Sequence, residues 1–599
     1  MTEGVAVSRP IVPGQNVGPD AAQSSDRPVA DGEGTPPKAG VLDSVAAAML
    51  RTFVAEGVDV IFLNPGSDTA PLQEALAALD DAREAVPRVV LCLHEGVALA
   101  AAHAYFAVTG RPQVVMVHVD VGTQNLGSMV HNAVRGQAAV VMLAGRTPTT
   151  SYGELPGGRD AAVHWLQDVP DQAGIVRSYV KWIGDIDPET ARQTVARAFQ
   201  VARTGVPGPV YLTAAREALM RPVADSTATA KRTVFAPPAP DPVGVRQAAT
   251  WLSEARHPVI VTSRLGQRPE GVAALVELAE LTGALVLDAR DRMNFPSDHP
   301  AYVASGREVA AALSQADVVL SVEAPVPWVP HTAAPAPEAR VINLELDPLH
   351  ASMPRWNFGV DLALPCDPVA GLQALVEQLR GLGARAPQAK PQAAATVEES
   401  TDVPPAPLTA ADVGHALTER LADEDIVIEE ATTNAELLRG SLRRVAPGTY
   451  FRSGGSGLGW ALGATVGAGL AAPDRRIVTL VGDGAFFFGF PMAALWALQQ
   501  SGRAALIIVL DNGGYAASRW PVLTLFPDGR SASTGDVVGT LFPNSPDLPA
   551  VARACGLSGE HVNTGPELDA ALDRALDALD AGRSTLLSVA ISSPWIPAA

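Results

Sequence analysis

Asp483 and Asn512 stand at the ends of two apolar runs that read as buried strands, RIVTLVGDG and AALIIVLDNGGY. A carboxylate oxygen, an amide oxygen and the backbone carbonyl of Gly514 are hard donors. They suit an octahedral Mg²⁺ that keeps phosphate oxygens and a water as its other ligands. Gly482 and Gly484 flank the aspartate and let backbone N–H groups approach a phosphate, while Ala485 carries the chain into a helix presenting its positive end. A single amphipathic helix is expected between the two strands, and Tyr515 follows the glycine pair that closes the second. Thr432 and Thr433 end another apolar run, DIVIEEATT, as donors to the same diphosphate or as caps of the next helix. Alone, an aspartate and an asparagine at strand ends are cap and turn residues. Placed on neighbouring strands with glycines at both turns, they describe a metal-bridged diphosphate site.

Glu95 closes the run RVVLCLH and opens the Ala-rich stretch EGVALAAAHAYFAVTG. Among Leu91, Leu93, Val97 and Leu99 its carboxyl is placed to share a proton with a ring nitrogen of a ligand. As a helix-opening acid it also suits the helix dipole. Ser67 lies in the turn NPGSDTAPL, His118 in QVVMVHVDVGTQN, His331 in the Pro-rich APVPWVPHTAAPAP, and Leu458 after the glycine-rich SGGSG. Read singly, these are a turn serine, a core histidine, a surface histidine and a core leucine. Read jointly, Ser67, Glu95 and His118 each end or adjoin a strand, which aims them at one mouth.

The elements that must hold these groups follow from the alternation of short apolar runs with helical stretches, the pattern of parallel sheets covered on both faces. We expect α/β architecture in three doubly wound parallel-sheet domains at 39–221, 244–380 and 408–599. Their joints are the Pro- and Ala-rich linkers 222–243 and 381–407. The strands expected are VDVIFLNPG, RVVLCLHEG, QVVMVHVDVG, AAVVMLAG and GPVYLTAA, then HPVIVTSR, ALVLDAR, ADVVLSVEAP and ARVINLELDP, then DIVIEEATT, RIVTLVGDG, AALIIVLDN and TLLSVAIS. Residues 1–38 lack hydrophobic periodicity, which predicts a disordered tail, and they have neither the apolar nor the basic region of an export signal. No apolar run reaches the length of a membrane span. A net charge of −20 without a Lys/Arg cluster argues against a nucleic-acid partner. Cys92, Cys366 and Cys555 are scattered, which opposes a disulfide scaffold or structural zinc and fits a reducing cytoplasm. Neither a P-loop nor a dinucleotide GxGxxG fingerprint is present.

The GDG-helix-strand-Asn arrangement, with HEGVA earlier in the chain, resembles the thiamine diphosphate enzymes over about residues 40–599. The resemblance implies that Glu95 tautomerises the cofactor's aminopyrimidine, so that its own amine can deprotonate the thiazolium carbon. It also implies that Leu458, in GLGWALGA, supports the folded cofactor. Within the acetolactate synthase and pyruvate decarboxylase superfamily, NPGSDTAPL, HVDVGTQN, EAPVPWVPH and DNGGYAASRW are similar to segments of benzoylformate decarboxylases. That likeness implies that Ser67 meets the substrate carboxylate, that His118 protonates the product carbon, and that His331 is a second catalytic histidine. The activity implied is 2-oxo acid decarboxylation, with possible carboligation; the alternative is an acetolactate-synthase-like or 1,2-diketone-cleaving enzyme. Some relatives bind FAD in the middle domain, but SRLGQRPEG offers no glycine-rich dinucleotide turn, so FAD is not expected. The family builds its site between subunits, which implies a homodimer or homotetramer.

Overall fold

A computed structural model of the chain describes residues 40–223, 232–289, 291–303, 306–384 and 407–596. The expected tail, residues 224–231 of the first expected linker and most of the second, 385–406, lie outside the described residues. Of the chain's two contact units, Met1–Ala39 lies outside them too, and Gly40–Ala599 carries every described element.

Among the described residues eighteen strands form three six-stranded sheets, and all the strand pairings within them are parallel. The first sheet contains β1 (Val60–Leu63), β2 (Arg88–Leu91), β3 (Gln113–Val117), β4 (Val140–Arg146), β5 (Ile183–Asp185) and β6 (Val210–Ala215), in the order β2-β1-β3-β4-β6-β5. The second contains β7 (Pro258–Thr262), β8 (Leu285–Asp288), β9 (Tyr302–Val303), β10 (Val318–Val322), β11 (Arg340–Glu345) and β12 (Leu362–Pro365), in the order β12-β11-β10-β7-β8-β9. The third contains β13 (Ile426–Glu430), β14 (Tyr450–Phe451), β15 (Ile477–Gly482), β16 (Leu506–Asp511), β17 (Ser558–Val562) and β18 (Thr585–Ala590), in the order β14-β13-β15-β16-β18-β17. In the first sheet the winding reverses between β1 and β3, and in the third between β13 and β15. A crevice opens at the carboxyl ends of the strands at each reversal.

Five strands have no counterpart among the expected runs: β5, β9, β12, β14 and β17. All five are sheet edges. An edge strand pairs on one side only and keeps part of its length in water, so it need not be continuously apolar; β17 reads SGEHV and buries only Val562. Near the first linker, the helix Pro242–Glu254 starts two residues inside the expected linker. Asp241 caps it by accepting from Gly244 N at 2.9 Å, and Pro242 takes the first turn.

The single helix expected between Asp483 and Asn512 is two helices, Asp483–Phe488 and Pro491–Gln500. Pro491 has no N–H with which to continue the first, and Phe490 turns into left-handed backbone at φ 49°. The Phe490 ring then stacks on His94, with centroids 3.5 Å apart.

The first and third sheets are joined by the helices Glu95–Thr109 and Trp460–Ala471, both almost wholly buried. Their backbones approach closely where Gly467 faces Ala101: a Cβ at 467 would lie 1.9 Å from the Ala101 carbonyl oxygen. Trp460 Nε1 donates to His103 Nδ1 at 3.1 Å across the same contact. Among the described residues no helix is long and apolar enough to cross a membrane.

Candidate active site

Because β1 and β3 are adjacent, the turn after β1 and the first residue after β3 face one another across the reversal of the first sheet. Ser67 Oγ lies 3.5 Å from His164 Nε2, and the Asp160 backbone N–H donates to His164 Nδ1 at 3.3 Å. His164 is buried, and burial with the nearby Arg216 charge holds it below its usual pKa, in the neutral form. Nδ1 lies equally close to Asp160 Oδ1, at 3.3 Å, so Asp160 holds the ring from that side while Nε2 faces Ser67. His118 is held at both ring nitrogens: Nδ1 by Asp68 Oδ1, and Nε2 by Gln167 Oε1 at 3.1 Å. The hydrogen bond it donates to Asp68 raises its pKa against the opposing effect of burial.

Glu95 opens its helix 6% exposed, and its Oε2 accepts from Asn125 Nδ2 at 3.1 Å. A Cβ on Gly122 would lie 3.1 Å from His118 Cβ and 3.3 Å from Glu95 Oε1, so the acid and the imidazole flank the same glycine. Ser67, Glu95 and His118 therefore share one end of the first sheet. Asp68, Asn125, His164 and Gln167 join them without having been singled out in the sequence. Asp68 is the neighbour of Ser67 in NPGSD and was open to notice. His164 and Gln167 come from a stretch with no strand alternation, nearly a hundred residues beyond Ser67, where nothing local marks them.

At the corresponding end of the third sheet Asp483 is 3% exposed. Its Oδ1 accepts from Gly484 N at 2.8 Å, and its Oδ2 from Gly513 N at 2.8 Å and Gly514 N at 3.1 Å. Asn512 Oδ1 accepts from the same Gly514 N at 3.2 Å, so carboxylate and amide oxygens converge on one point. Burial and the Asp511 charge push the Asp483 carboxyl up to about 7, with the backbone N–H groups opposing. A buried carboxylate that repels an acidic neighbour, beside an amide oxygen, fits a hard divalent cation. The Gly514 carbonyl accepts from Ala516 N at 3.1 Å and retains a second lone pair. Gly482 is the last residue of β15, Gly484 and Ala485 are buried in the short helix that follows, and the Tyr515 ring stands edge-on to Phe542 at 4.6 Å.

A cavity of about 280 Å³ opens after β13, the strand that pairs with β15, lined by Glu430, Thr432, Arg452, Ser453 and Leu458 among others. Thr432 adopts left-handed backbone at φ 45° and starts the turn Thr432–Asn434, which includes Thr433. Glu430 accepts from Gly459 N and Ala461 N, each at 2.8 Å, and so anchors the start of the helix that follows Leu458. Burial pushes its carboxyl up to about 7. Asn132, from the first module, holds the glycine-rich turn by donating to the Gly457 carbonyl at 2.7 Å and accepting from Gly457 N at 2.9 Å. A cavity lined by Thr432, two serines and a half-buried leucine, at the end of the strand that pairs with the one carrying Asp483, fits a diphosphate cofactor with an apolar ring system.

Two expected members lie elsewhere in the single chain. His331 is exposed in a turn beside Ala310, Ser314 and Pro330, apart from both clusters. Among the described residues Glu95 does not line the cavity beside Leu458.

Three family models match the chain: thiamine pyrophosphate enzyme, N-terminal TPP binding domain, at residues 43–175; the central domain at 245–375; and the C-terminal TPP binding domain at 433–589. A benzoylformate decarboxylase of Pseudomonas aeruginosa is 31% identical, over 90% of this chain and 97% of its own. The acetolactate synthase isozyme 2 large subunit of Escherichia coli is 25% identical over 88% of this chain and 93% of its own. Among solved structures, a thiamine diphosphate-dependent 4-hydroxybenzoylformate decarboxylase of Rhodococcus jostii superposes with a TM-score of 0.78 at 26% identity, covering 92% of this chain and 99% of that one.

Proposed function

This chain belongs to the thiamine pyrophosphate enzyme family, and from that premise we propose that it is a Mg²⁺-dependent 2-oxo acid decarboxylase of the benzoylformate decarboxylase kind, able also to ligate a second carbonyl. Bound thiamine diphosphate supplies the electron sink that lets a C–C bond beside a carbonyl break. In this reading Asp483, Asn512 and the Gly514 carbonyl hold the cation. Backbone around Gly482, Gly484 and Ala485, the hydroxyls of Thr432 and Thr433, and the Tyr515 turn position the diphosphate. Leu458 gives the rings an apolar support. Glu95 holds a proton against a pyrimidine nitrogen. Ser67 orients the substrate carboxylate, His118 delivers a proton to the carbon that loses CO₂, and His331 is the second histidine.

The observation that carries this reading is the meeting of Ser67, Glu95 and His118 at one end of the first sheet, supported by the relative named above. Purified protein with thiamine diphosphate and Mg²⁺ is expected to release CO₂ from benzoylformate, pyruvate or a branched 2-oxo acid; silence across that panel would reject it. The acetolactate synthase relative favours a second reading, in which the main product is an acetohydroxyacid or 2-hydroxyketone. Mass spectrometry of products with and without an acceptor aldehyde separates the two.

A further inference from the structure

Asp68 is buried, 3% exposed, in the turn between β1 and the helix Ala70–Asp81, yet its side chain caps nothing. The N-cap of that helix is Thr69, and no side-chain cap bond is made there. Oδ1 of Asp68 is spent on His118 Nδ1, and Oδ2 has no hydrogen-bond partner among the described residues. A buried, half-unpaired carboxylate costs stability unless it serves another group. The surroundings are shaped around it: a Cβ on Gly145 would fall 1.5 Å from Oδ2, and a Cβ on Gly66 would fall 1.9 Å from His118 Nδ1. Gly145, at the end of β4, is thus the space that Oδ2 occupies.

His118 faces an acceptor oxygen at each nitrogen, Asp68 Oδ1 and Gln167 Oε1. With the Gln167 amide oxygen turned to the ring, a neutral imidazole carries one N–H and would leave one of those acceptors facing a lone pair, whereas the doubly protonated ring satisfies both. We propose that Asp68 is the positioning residue that keeps His118 doubly protonated, with its transferable proton on the Nε2 that Gln167 holds at rest. This rests on the reading of His118 as the proton donor. When the Nε2–H bond breaks, its electron pair stays on Nε2. The proton forms a C–H bond with the electron pair left on the carbon by C–C cleavage. The ring is left neutral with Nδ1–H still bonded to Asp68, and it takes back a proton from hydronium or buffer acid in solution, the one proton the decarboxylation consumes.

The charged groups acting on this imidazole are Asp68 from the turn after β1 and Glu95 from the helix after β2; His164, from the loop that also brings Gln167, lies near Asp68. Asp160 and Arg216 stand behind His164. Asp68 and Glu95 both favour the charged ring. Neutral His164 adds no repulsion.

The test is deuterium exchange at the histidine ring carbon, followed by mass spectrometry of the peptide containing His118 in the full-length protein as pH is varied. The wild-type midpoint is expected above the ordinary 6.5, and Asp68→Asn is expected to lower it by about one pH unit, a tenfold loss of the charged ring at a given pH. In kinetics the same substitution moves the alkaline limb of kcat down by that shift, restores activity towards acid pH and leaves KM little changed. A wild-type midpoint at or below 6.5, or one that Asp68→Asn does not move, overturns the assignment. Should Asp68→Asn fail to fold, the wild-type midpoint still decides. Exchange needs no turnover, so a protein with the shifted midpoint that is silent on every 2-oxo acid would reject the decarboxylase reading and leave Asp68 in its place.

Discussion

Glu95 and Asp483 are carboxyls that an apolar residue could replace with less desolvation cost, and each keeps a different kind of partner. Glu95 has one amide donor, Asn125; Asp483 has three backbone N–H groups and an asparagine beside it. The first environment suits proton traffic and the second suits holding charge, so substitution should separate chemistry from binding. Glu95→Ala is expected to lower kcat by about 10²–10⁴-fold, the range for a lost acid–base group, while cofactor titration by fluorescence quenching shows nearly unchanged affinity; unchanged turnover would defeat its role. Asp483→Ala is expected to do the reverse first, raising the thiamine diphosphate concentration for half-saturation by about 10–100-fold, the equivalent of losing a charged contact of about 1.5–3 kcal/mol. At this scale the sequence reveals residues that sit in short motifs. Ser67, Glu95, Asp483 and Asn512 each carry glycines or strand ends beside them, whereas His164 and Gln167 acquire meaning only through partners far away in the chain.

The contact between Glu95–Thr109 and Trp460–Ala471 depends on the absence of a side chain at 467 and on a neutral imidazole at 103. Gly467→Val would drive a branched side chain into the Ala101 backbone, for a cost of about 1–3 kcal/mol; an unchanged urea midpoint would show that the helices are not held as described. Burial, with Arg292 and Arg264 nearby, pushes His103 down to about 3, so the folded state stays neutral there while the unfolded chain takes up a proton below about 6.5. The sign follows: stability is full above that value and falls as the pH drops from about 6.5 towards 3, by up to about 1.4 kcal/mol per pH unit. His103→Gln keeps an acceptor for Trp460 and should flatten the acid slope of the urea midpoint relative to wild type; identical slopes would contradict it. Elements buried on both faces were legible from sequence because they are unbroken apolar runs, as IVTLV and ALIIVL are. The edge strands β5, β9, β12, β14 and β17 were not, since pairing on one side leaves their composition free. The break at Phe490 was also missed, although Pro491 announced it.

The three sheets of the molecule followed from its alternation of runs, but where the site is completed does not follow from any one run. Within a chain Glu95 bonds Asn125, and the cavity beside Leu458 is lined without it. We propose that the acid meets the cavity of a second copy, in a two-fold assembly where each chain lends its acid to the other. This proposal of a homodimer or homotetramer has a stricter test than mass. Glu95→Ala and Asp483→Ala chains are mixed, dissociated and reassociated, and assayed at a thiamine diphosphate concentration that fills wild-type sites but leaves Asp483→Ala sites empty, so that neither parent is active alone. If each site draws its acid and its cation loop from different chains, a mixed dimer holds one intact site and one doubly broken one. Random pairing makes half the dimers mixed, so recovery should approach about one quarter of wild-type activity. If both groups act within one chain, every site in every dimer carries one lesion and mixing recovers nothing.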